Sequence, residues 1–199
     1  MMSSLISNIK IGNFGENFNI SIFASQIQKC QLMSDTLDSS VEMAQLDALN
    51  QVAKIHRTFQ HPVLETPPIP SEARCKLRVS LIAEELKELQ QAIDDNDLVE
   101  VADALCDIQY VLAGAVLEFG LGDKFRQLFD EVQRSNMSKS CRTEEEAQAT
   151  VQHYLDNYQT ESYYKKVGDL YLVYRTSDDK TLKSVNYSPA DLKSIVENK

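Results

Sequence analysis

The stretch LVEVADALCDIQYVLAGAVLEFG, residues 98–120, limits what this chain can fold into more than any other. Coiled at 100° per residue it is apolar or small on almost every side, so a helix built from it must be covered by other helices nearly all round. Acid interrupts that surface: Glu100, Asp103 and Asp107 fall within an arc of roughly 60°. The preceding segment, SEARCKLRVSLIAEELKELQQAI, carries a second acidic patch. There Glu84, Glu85 and Glu88 share roughly 100° of arc beside an apolar stripe of Ile82, Leu86, Leu89 and Ile93. Only DDND separates the two segments, a turn short enough to bring the helices back antiparallel.

Other elements are legible around this pair. Met43 opens MAQLDALNQVAKIHRTFQ, in which Leu46, Leu49, Val52, Ala53 and Phe59 recur at helical spacing. Pro62, Pro67, Pro68 and Pro70 then forbid a regular helix and impose an extended crossing, after which Ser71 reads as a cap with Glu72 in the first turn. Gly120 and Gly122 mark the end of the apolar helix. DKFRQLFDEVQRSN gives a fourth helix with Phe125, Leu128, Phe129 and Val132 on one side. TEEEAQATVQHYLDNYQ gives a fifth, its glutamates at 144–146 a solvated first turn suited to the helix dipole. DLYLVYRTSDDKTLKSVNY alternates like two strands about a turn at 177–179. SPADLKSIVENK reads as a last helix with Ser188 as N-cap and Pro189 at the first helical position. The expected architecture is a mainly α helical bundle with a small C-terminal β-hairpin. Residues 43–199 form the domain, with a helical core at 43–140 and a C-terminal helix and hairpin at 141–199. Residues 1–42 mix Asn, Gly, Ser and β-branched residues without periodicity and read as an N-terminal extension, so Met43 is a candidate functional start.

A net charge of -10 and a pI near 4.8 oppose non-specific attraction to nucleic acid or to anionic membranes. A phosphorylated ligand must therefore be met by local cations or by metal ions. Cys30, Cys75, Cys106 and Cys141 lie far apart with no C-x-x-C spacing, which points to neither a zinc site nor a disulfide framework. Cys106, in the apolar helix, reads as a core residue. No apolar run approaches the roughly 20 residues of a membrane span, and no basic segment precedes an apolar one at the N-terminus. The expected location is cytoplasmic.

The acids decide the chemistry. An unpaired carboxylate in an apolar interior costs several kcal/mol, and no Lys or Arg occurs between Lys87 and Lys124. Carboxylate ligands without a nearby His or Cys suit a hard, oxygen-seeking ion, Mg²⁺ or Mn²⁺ rather than zinc. On an ordinary surface helix E-E-x-x-E is a solvated face; acids confined to a narrow arc of an otherwise apolar helix argue for a site. Asp107 either supports a ligand from behind or pairs with a distant Arg. His56, His61 and His153 lack ligand-like spacing, and Tyr110, beside the acidic arc, reads as core packing ahead of the alternative, a ring that stacks on a base. Arg78 is either a phosphate contact or a surface ion pair.

E-E-x-x-E at Glu84, Glu85 and Glu88, followed by E-x-x-D at Glu100 and Asp103, resembles the metal-binding signature of the all-α nucleoside triphosphate pyrophosphohydrolases. That superfamily includes MazG-like proteins, dimeric dUTPases and phosphoribosyl-ATP pyrophosphohydrolase. FDEVQRSNMSK and DDKTLKSVNYSPADL are similar to a bacterial and phage branch whose members follow the helical core with S-N-M-S-K and a D-G-K-x-x-K segment. This chain departs from that branch in having Asp179 where Gly is usual. The likeness runs from Met43 to the C-terminus.

The resemblance implies an all-α pyrophosphohydrolase bundle that cleaves a nucleoside triphosphate between its α and β phosphates, giving monophosphate and pyrophosphate. Glu84, Glu85, Glu88, Glu100 and Asp103 would hold Mg²⁺ or Mn²⁺, and Glu85 would orient or deprotonate the attacking water. Read on their own, Arg134, Ser135, Asn136, Ser138 and Lys139 are the polar end of a helix, and Lys180 and Lys183 belong to a charged hairpin. The resemblance makes Asn136 and Lys139 nucleotide or phosphate contacts, with Arg134, Ser138, Lys180 and Lys183 as further candidates. A helix apolar nearly all round also favours a homodimer or higher homo-oligomer. The alternatives are phosphoribosyl-ATP hydrolysis in histidine synthesis and a non-catalytic nucleotide-binding or interaction module.

Overall fold

The computed structural model describes residues 46–197; residues 1–42, Met43 and Cys30 lie outside the described residues. The chain folds as α1 (Ala48–Thr58), α2 (Glu72–Asp94), α3 (Leu98–Glu118), a 3-10 turn (Gly122–Lys124), α4 (Phe125–Met137), α5 (Glu144–Tyr158), β1 (Ser162–Val167), β2 (Leu170–Arg175) and α6 (Leu192–Glu197). The expected mainly α architecture with a C-terminal hairpin is present.

The α2–α3 turn completes two helix caps in three residues, Asp95, Asn96 and Asp97. The amide of Asn96 donates to the Ile93 carbonyl and that of Asp97 to the Ala92 carbonyl. This closes α2 with Asn96 in the left-handed region at φ 55°. Asp97 then caps α3, its carboxylate accepting from the amides of Val99 and Glu100. By contrast, Ser71 occupies the cap position of α2 without a side-chain capping bond.

α1 packs on the C-terminal half of α3, where Val52 and Ala53 meet Ala113 and Leu117, with Ala48, Leu49 and Val63 around them. Burial of each large aliphatic side chain there stabilises the fold by roughly 1.5–3 kcal/mol. Leu46 and Phe59, expected on the same core face, are exposed; one precedes the helix and the other follows its last turn. The proline-rich crossing runs back along α3, and the Leu64 amide donates to the Leu117 carbonyl at 3.0 Å.

Gly120 makes this crossing possible. Its φ is 63°, and the amides of Gly120 and Leu121 close α3 by bonding to the carbonyls of Leu117 and Val116. A Cβ at this position would lie 2.0 Å from the Thr66 carbonyl oxygen. Gly120→Ala is therefore expected to lower stability by more than about 4 kcal/mol, read as a loss of folded protein in urea titration.

A second core gathers Cys141, Ala147, Val173 and Leu182, ringed by Val151, Tyr154, Tyr164 and Tyr171. The hairpin lies earlier than its sequence pattern indicates. β1 pairs antiparallel with β2 in the register Tyr163↔Tyr174 and Tyr164↔Val173, and the turn is at Gly168 and Asp169. SYYKKV hides its strand because Tyr and Lys occupy both faces and no apolar alternation shows. The turn at 177–179 does form, but after it only Thr181 bridges back to Tyr174. Asp179 takes the left-handed conformation at φ 53° and accepts a 2.7 Å bond from the Tyr163 hydroxyl, which keeps the turn tight without Gly.

Three further expectations are corrected. α6 starts at Leu192, not Pro189, because Asp191 is the residue whose carboxylate receives the Ser194 amide and hydroxyl. Glu146 is not a freely solvated member of its run: it accepts from the Ser184 hydroxyl and, at 2.8 Å, from the Arg142 amide. Cys106 is exposed rather than core. It belongs to an α3 flank that one chain leaves uncovered, including Leu98 at 79%, Val99 at 75%, Leu105 and Leu112.

Candidate active site

The register of α2 against α3 positions the acids. Arg74 and Arg78 both reach Glu118, and a Cβ added to Gly114 would meet Arg78 and His56. Further along the same seam, Glu85 lies in the field of Asp107. Steps forward along α2 are thus matched by steps back along α3.

Glu85 and Asp107 are half-buried, whereas Glu84, Glu88, Glu100 and Asp103 are exposed. Desolvation, followed by the negative charges of Glu88, Asp107 and Glu84, pushes the Glu85 carboxyl above its ordinary value. Among the described residues, no ion pair involves any of these six carboxylates, and no three carboxylate, imidazole or thiol groups converge as ligands of one ion do. The donor chemistry nevertheless fits a hard divalent ion: oxygen ligands only, repelling one another on facing helices, with no cation between them.

The basic end of the seam is structural. Glu118, 1% exposed, takes ion pairs from Arg74 and from buried Arg78. Burial alone would raise the Glu118 carboxyl, but the hydrogen bonds and charges of Arg78 and Arg74 together outweigh it and hold it below its ordinary value. His56 is buried beside them, with its Nδ1 2.9 Å from the Pro62 carbonyl and its Nε2 3.3 Å from the Arg78 guanidinium. Donation from Nδ1–H and acceptance at Nε2 fit the neutral ring, and burial lowers its proton affinity. Arg78 is therefore committed to an internal ion pair, neither a surface pair nor a free phosphate donor. Sequence reasoning missed Glu118; the signal was a lone acid in the otherwise uncharged end of α3, matched by arginines four apart on α2.

The polar group after α4 proves to be a clasp on the C-terminal segment. Arg134 is paired bidentately with Glu131 and also donates to the Ser188 hydroxyl and the Pro189 carbonyl. The Ser138 hydroxyl accepts the Ser188 amide, Ser135 bonds to the Tyr187 hydroxyl, and the Lys139 carbonyl accepts the Ser184 amide. Asn136 and Lys139 remain on the outside, the ammonium donating to the Asn136 side-chain oxygen Oδ1 at 2.7 Å. Lys180 sits in the turn after β2, and Lys183 lies 4.3 Å over the Tyr187 ring. These groups belong to the second core and its C-terminal strap; the acids belong to the α2–α3 seam.

The fold and seam define an α-helical protein with facing carboxylate-bearing helices. Residues 52–136 match the model of the phosphoribosyl-ATP pyrophosphohydrolase family. An uncharacterized protein of Acanthamoeba polyphaga mimivirus is 33% identical over 84 residues, covering 42% of this chain and 32% of its own length. The similarity thus spans about a third of the length of that relative. Among the described residues no single helix is long and apolar enough to cross a membrane.

Proposed function

We propose that the chain is a metal-dependent nucleoside triphosphate pyrophosphohydrolase that cleaves between the α and β phosphates. The observation that carries this reading is the facing of Glu85 and Asp107 across the α2–α3 seam, with Glu84 and Glu88 adding charge and no cation acting on Glu85 among the described residues. Glu84, Glu85, Glu88, Glu100 and Asp103 are the residues that would hold Mg²⁺ or Mn²⁺. When bound, the ion would offset phosphate charge and lower the pKa of a coordinated water. Glu85 is assigned to orient that water and take its proton, a role that a carboxylate of raised proton affinity performs better than an ordinary one. Asp107 keeps that affinity high from the opposite helix. Asn136 and Lys139 are assigned to meet phosphate; Arg134 and Ser138 serve by holding the strap. A second copy of the chain would cover the exposed flank of α3, and we take the working form as a homodimer or higher homo-oligomer.

The family match supports phosphoribosyl-ATP as a second substrate candidate. Pyrophosphate release from a panel of canonical and damaged nucleoside triphosphates and phosphoribosyl-ATP, with Mg²⁺ and with EDTA, separates the readings. Mg²⁺-dependent release from a nucleoside triphosphate is the expected result. Turnover confined to phosphoribosyl-ATP transfers the assignment to biosynthesis, and binding without turnover transfers it to a sensor.

A further inference from the structure

We propose that the C-terminal strap forms a second small-molecule site, a cleft that binds a nucleoside monophosphate. The cleft has a volume of about 620 Å³, within the range of roughly 300–1,000 Å³ usual for small ligands. Met137 and Leu170 supply its apolar side, and Ser140, Arg142, Asn186 and Ser188, with the carboxylate of Glu146, its polar side. No lining residue comes from α2 or α3, so the cleft is separate from the acidic seam within the chain.

The walls are braced without a ligand. Arg134 and Ser138 are spent on the strap, and Glu146 on Ser184 and the Arg142 amide. The last carbonyls of α4 are taken by the amides of Ser138, Lys139 and Ser140. Among the described residues, Arg142 is the arginine of the cleft that stays unpaired: Arg74, Arg78, Arg126, Arg134 and Arg175 are ion-paired, and Arg57 lies away from the cleft on α1. The Arg142 guanidinium, in the field of Glu146, makes no hydrogen bond or ion pair among the described residues. In a chain of net charge -10, an anion settles only beside such a local cation, and a guanidinium matches the fork of a phosphate monoester. Met137, 44% exposed, and Leu170 offer a surface for a planar base, while the Asn186 amide, which bonds to Glu146, keeps its carbonyl oxygen as an acceptor. The choice of a nucleotide body rests on the pyrophosphohydrolase reading, whose product carries this group.

Calorimetric titration of the full chain in EDTA with nucleoside monophosphates and with inorganic phosphate tests the site without turnover. The wild type is expected to bind at least one monophosphate more tightly than inorganic phosphate. Arg142→Met should weaken it by about tenfold or more, Asn186→Ala should weaken it too, and Glu85→Gln should leave it unchanged. No saturable binding, equal binding of inorganic phosphate, indifference to Arg142→Met, or loss in Glu85→Gln overturns the proposal. Wild-type pyrophosphate release reports the catalytic assignment separately, so either can fail alone.

Discussion

Glu85→Gln is expected to lower pyrophosphate release by about 10²–10⁴-fold, the usual contribution of a positioned general base, while the chain stays folded. The amide keeps the shape and some ligand capacity of the carboxylate but cannot accept the proton. Its loss also removes a charge that Glu84, Glu88 and Asp107 oppose, so the metal-free variant should unfold at the same urea concentration as wild type or slightly above it. Steady-state rates at saturating Mg²⁺, paired with urea titration in EDTA, check both halves. A rate within a few-fold of wild type would remove Glu85 from the chemistry.

Glu118→Ala is expected to cost about 3–5 kcal/mol, because it leaves Arg74 and buried Arg78 without their counter-charge. For a domain of this size that corresponds to a fall in Tm of about 10 °C. The effect depends on pH in a definite sense. The Glu118 carboxyl is held lower in the folded chain than its ordinary 4.5. Its contribution is therefore full above pH 4.5 and is lost as the pH falls through the lower folded value. Glu118→Gln should accordingly show a shallower loss of stability with acid than wild type in parallel urea titrations below pH 4.5. Parallel slopes would mean that the ion pair does not hold α2 on α3.

Sequence periodicity was enough to find the helices, because α2 and α3 are long and Asp97 and Gly120 act locally at their ends. The acidic faces were equally legible, since helix geometry alone sets which carboxylates share an arc. Pairing across the seam was not: Glu118 with Arg74 and Arg78 is a contact between residues 44 and 40 positions apart, and spacing within one helix says nothing of it. The β-hairpin was misplaced because Tyr pairs with Tyr and Lys stacks on Tyr rather than alternating with it. The bonds of Arg134 and Ser138 to Ser188 and Pro189 were equally hidden, because these partners lie some 50 residues away.

The central claim is that the facing acids of α2 and α3 form one divalent-cation site. Titration of the full chain with Mn²⁺, followed by electron paramagnetic resonance, measures it without substrate. Saturable uptake by wild type, competed by Mg²⁺ and weakened at least tenfold in a Glu85→Gln/Asp103→Asn double variant, is the result expected. Absence of saturable uptake, or uptake that the double variant retains in full, would contradict it.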